Sequence, residues 1–146
     1  MILKGRTGRA AASMTGFLLL GWGQASWGLN SYRDTLPADM RDVGLTGEML
    51  PLLLVWVPLI AVLAWVRWIA PTWRASLSSL ASLAGWFWVD LCLYESRVAG
   101  WSTYTLAELV MEVAVVCAWP LSLAILLNLL AWSLPSLRTR HDPNLV

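Results

Sequence analysis

Four ionisable residues stand inside long apolar runs or at their edges. Asp90 and Glu112 interrupt such runs, Glu108 lies one helical turn before Glu112, and Arg97 follows Asp90 by seven residues. Helical spacing puts Glu108 and Glu112 on one face, and Asp90 and Arg97 on another face two turns apart. An ionisable group within a bilayer is costly to keep, so its presence marks either a functional site or a contact between helices. Three roles suit this constellation. Arg97 and the carboxylates could pair and hold two helices together. Asp90 and Glu112 could instead share a proton as part of a proton or cation path. In the third role, the group faces a basic residue of a partner protein. Beyond Glu112 nothing ionisable continues along the run, where Asn128 is neutral, so a continuous path through the bundle is not expected.

Other chemistries are excluded by what the chain lacks. Cys92 and Cys117 both fall within apolar runs, with no Cys-x-x-Cys and no second pair. A quinone-linked thiol oxidase of the four-helix kind needs paired external cysteines, which are missing. The single histidine, His141, lies near the carboxyl end, which removes bis-histidine haem and a His-rich metal site. Small multidrug exporters place a Glu in their first helix, where this chain offers only Gln24. Lipoprotein signal peptidases use two Asp near the external ends of helices three and four; here the second position holds Glu112, without the family's Asn-containing motif. No cofactor and no metal are therefore expected.

The elements that must position these residues follow from composition. Of 146 residues, 58% are hydrophobic and only 13% are charged, against roughly 45–50% and 25% in soluble domains. That leaves too little polar surface to cover a globule in water. A net charge of +1 also argues against a nucleic-acid partner. Eleven Trp residues suit membrane–water boundaries. The expected fold class is an all-α membrane protein, an antiparallel bundle of four transmembrane helices in a single domain over residues 1–146. The spans are expected at about 10–29, 50–66, 77–94 and 109–132, with an external loop at 30–49, since a crossing needs about 20 apolar residues. The first span is the weakest, carrying Ser13, Thr15, Gln24 and Ser26.

Basic residues give the direction. Lys4, Arg6, Arg9, Arg67, Arg74, Arg138 and Arg140 flank one side, against Arg33, Arg41 and Arg97 on the other. Both termini are then expected in the cytoplasm, with a bacterial inner membrane as the location. Lys4, Arg6 and Arg9 followed by Gly23-Gln24-Ala25 also suit a signal peptide, but an uncleaved first helix is the expectation.

Finer features follow. Thr35 could cap a short loop helix ended by Gly44, and Trp68, Trp73 and Arg74 could anchor the internal loop at an interface. Small residues at Ala12/Gly16, Gly21/Ala25, Ser78/Ser82 and Ala81/Gly85 suggest a close approach of helices one and three. Pro58 and Pro120 should bend helices two and four. Trp86, Trp88 and Trp119 could edge a quinone or lipid groove. No internal repeat supports an inverted-repeat transporter.

The function expected from these features is non-catalytic: an accessory, assembly or scaffolding subunit of a larger membrane complex, partnered by lipid and other membrane-protein subunits. A small transporter or pore using the intramembrane carboxylates is the alternative, and an intramembrane hydrolase is a third.

Overall fold

A computed structural model of the chain describes residues 2–32, 44–66, 69–98 and 104–140. These form four long helices, α1 (Ile2–Gly28), α2 (Leu45–Trp65), α3 (Pro71–Arg97) and α4 (Leu106–Arg140), with a single 3₁₀ turn at Asn30–Tyr32. No strand occurs among the described residues. Each helix outruns the apolar stretch that predicts it. Hydropathy marks the segment fit for hydrocarbon, whereas backbone hydrogen bonding continues into the polar flanks. Residues 45–49, expected in the external loop, thus form the first turn of α2, and residues 71–76, expected in the internal loop, open α3. Pro71 suits that start because its fixed φ matches the first helical position. Arg74 Nη1 then donates to the Val66 carbonyl at 3.2 Å, tying the start of α3 to the end of α2. The loop helix expected between Thr35 and Gly44 falls almost wholly outside the described residues.

Two helices, α2 and α3, are long and apolar enough to cross a membrane, and the two arms of α4 make a third if they act as one span. The arms, Leu106–Val116 and Ala118–Trp132, meet at 65°. The break lies one turn before Pro120, where the ring clashes with the carbonyl four residues back and removes its hydrogen bond. Pro58 has no comparable effect: α2 runs as one helix through both Pro51 and Pro58.

The helices pack around a ring, α1 beside α2 and α4, and α3 beside the same two, with α1 and α3 on a diagonal. The expected close approach of helices one and three along small-residue stripes is therefore not the main packing. Gly85 faces Trp56 of α2, and nothing lies near Gly16. The diagonal is bridged instead by a large side chain. Trp86 of α3 stacks on Phe17 of α1, with ring centroids 5.7 Å apart, and its Nε1 donates to the Phe17 carbonyl at 3.0 Å. Gly21 of α1 makes the room: a Cβ there would stand 2.7 Å from Trp86 Cδ1 and from Leu53 Cδ2.

Candidate functional site

The buried stripe of α4 runs through Leu109, Val113, Cys117, Leu121, Ala124 and Asn128, a spacing of three to four residues that turns one face inward. On α3 the inward face carries Trp86, Val89, Asp90, Leu93, Tyr94 and Arg97. On α1 it carries Phe17, Gln24 and Ala25. Where these three faces meet, Asp90 is fully buried, and its Oδ1 accepts a hydrogen bond from Gln24 Nε2 at 2.9 Å. The Cys117 thiol of α4 sits close enough to the carboxyl to interact with it, and Gly28 of α1 lets that sulfur approach. Two acceptor atoms of this junction, Asp90 Oδ2 and Gln24 Oε1, are buried and make no hydrogen bond.

The other three candidate residues occupy different settings. Arg97, buried two turns along α3 from Asp90, forms an ion pair with Glu48 of α2, Nη2 to Oε1 at 3.2 Å. Ser96 Oγ donates to the second oxygen of that carboxylate at 3.4 Å. Glu108 is exposed and caps α4. Its Oε2 accepts from the Thr105 backbone N–H at 2.8 Å, while the Glu108 N–H donates to Thr105 Oγ1 at 3.4 Å. This reciprocal arrangement satisfies two donors at the helix start. Glu112 is exposed on α4. It is one residue short of Val113, and one residue is about 100° of helix rotation, so its side chain leaves the face that meets Asp90.

Deeper in the bundle, Asn128 Nδ2 of α4 donates to Ser79 Oγ of α3 at 3.2 Å. Trp86 is wholly buried, Trp88 packs on Trp56 with centroids 6.2 Å apart, and Trp119 is 81% exposed, so the three do not edge one groove. Both cysteines are free thiols. Among the described residues, no three His, Cys, Asp or Glu side chains come together as a metal site would require.

Comparison with family models, curated proteins and solved structures finds no match. The side-chain geometry alone therefore carries the functional reading.

Two residues of these contacts are missing from the cluster expected on sequence. Gln24 reads as a flaw in a weak span, and only the diagonal placement of α1 against α3 turns it into the partner of Asp90. Glu48 reads as loop, although an acidic residue in the first turn of a helix is itself a start signal. The Thr105-x-x-Glu108 cap, by contrast, is a legible local pattern.

Proposed function

We propose that the chain is a non-catalytic, multi-pass subunit of a larger complex in a bacterial inner membrane. All four helices then cross antiparallel, with both termini in the cytoplasm. One observation carries this reading: five of the seven buried polar side chains among the described residues, Gln24, Ser79, Asp90, Arg97 and Asn128, are engaged helix to helix, while the outward face of α4 beyond Glu108 and Glu112 is mainly apolar. Gln24–Asp90, Arg97–Glu48 and Asn128–Ser79 each join two helices of the same chain. Facing outward are Met111, Val115, Trp119 and Leu126 of α4, each more than half exposed. Such a surface suits lipid and the helices of neighbouring subunits.

Extraction in a mild detergent tests the proposal. Recovery of the chain with stoichiometric membrane partners supports it. A homo-oligomer that conducts ions in liposomes would replace it with the transporter or pore reading, which is favoured by the two unpaired oxygens beside Asp90. A hydrolase would need a second carboxylate beside Asp90, and Glu112 leaves α4 on another face.

A further inference from the structure

Hydrogen-bond accounting at the Asp90–Gln24 junction leaves a remainder. The Gln24 amide gives one hydrogen to Asp90 Oδ1. Asp90 Oδ2 and Gln24 Oε1 remain, both buried and both without a donor. Rotating the amide by half a turn would set its oxygen against Oδ1 and worsen the count. Trp86, Val89 and Leu93 of the same inward face of α3 and Val113 of α4 belong to one apolar core cluster, all fully or almost fully buried. An ionised carboxylate there would have one neutral amide and one weakly donating thiol to serve it, a setting that strongly disfavours a bare charge. From α4 comes the Cys117 thiol, a weak donor, which leaves Gln24 Oε1 unserved in any case. From α2 the one ionisable side chain is Glu48, engaged with Arg97. Along α3 the next titratable groups are Cys92, a half-buried thiol turned about 200° away from Asp90, and Tyr94, packed edge-on to Tyr32 with centroids 5.2 Å apart.

We propose that Asp90 and Gln24 form a buried proton-binding site, with the proton on Asp90 Oδ2 donated to Gln24 Oε1. The two side chains then make a cyclic acid–amide pair with two parallel hydrogen bonds. One proton satisfies both remaining acceptors and removes the net charge. The pair is a neutral clasp across the diagonal of the bundle, where α1 and α3 otherwise meet mainly through Trp86.

The clasp predicts the behaviour of an isosteric variant. In Asp90→Asn the amide nitrogen takes the place of the protonated oxygen, so both hydrogen bonds persist. The full chain reconstituted in nanodiscs at pH 7 is the sample. Infrared spectroscopy with ¹³C-aspartate labelling should show a protonated-carboxyl C=O band that the Asp90→Asn variant lacks. Thermal unfolding of that variant should match the native chain, whereas Gln24→Leu should lower the midpoint by about 5 °C through loss of both hydrogen bonds. The proposal is overturned if the native chain shows no acid band at pH 7. It is also overturned if sodium ions stabilise the native chain and not Asp90→Asn, because a metal cation then occupies the place of the proton. The infrared measurement on the native chain decides the matter even if a variant fails to fold.

Discussion

At the residue scale, Gly21 and Trp86 are one device. The indole fills the centre of the bundle because glycine leaves room for it, and its N–H reaches the Phe17 carbonyl across that gap. Gly21→Ala should therefore destabilise the chain by about 1–3 kcal/mol through overpacking, since the added methyl meets a stacked, hydrogen-bonded ring. A fall in the unfolding midpoint checks this, and Gly16→Ala, with open space around it, should show none. The Arg97–Glu48 pair is uneven in exposure: the arginine side chain is wholly buried and the glutamate is 23% exposed. Glu48→Ala strips a buried guanidinium of its carboxylate and should cost roughly 2 kcal/mol. Glu48→Gln keeps an acceptor and should cost less, as the ordering of midpoints will show. Asp90 was legible from sequence because an ionisable group in hydrocarbon demands an explanation. Its partner was not, because pairing across a bundle depends on the rotation of each helix, and a single residue of phase separates inward Val113 from outward Glu112.

At the scale of the element, the helices themselves were legible from their apolar runs, while their ends were not. Hydropathy does not set the ends: the first turns of α2 and α3 recruit residues that read as loop, and Thr105 with Glu108 caps the start of α4. Proline was legible in part. Both Pro58 and Pro120 remove a helical hydrogen bond, yet only α4 breaks, at the turn preceding Pro120. Pro120→Ala restores the missing N–H and should straighten α4. Spin labels at Val110 and Leu130, one on each arm, should move apart in that variant; an unchanged distance would mean that packing against α1 and α3, and not the proline, imposes the bend.

For the whole molecule, membrane character was the most legible property: composition points to it, and two helices, or three with α4 as one span, are long and apolar enough to cross. The ring order of the helices was not: small-residue stripes suggested that α1 and α3 were neighbours, whereas they lie on a diagonal bridged by Trp86. Of the four helices, α1 falls short of the apolar level of a span, as its polar first turns and Gln24 imply. In the proposed topology it crosses nonetheless, sheltered on two sides by α2 and α4. A periplasmic reporter fused after residue 40 should be active and one fused after residue 72 silent; activity at residue 72 would reverse the orientation. The bend in α4 also bears on the lipid around the protein. At 1.5 Å per residue the two arms measure about 16 Å and 22 Å, too long together for a hydrocarbon layer of about 30 Å. Leaning by half of the 65° each, they span roughly 33 Å in depth. With the two arms acting as one span, as in the proposed topology, the kink would match the helix to bilayer thickness, and membranes of different acyl length should favour different degrees of bending.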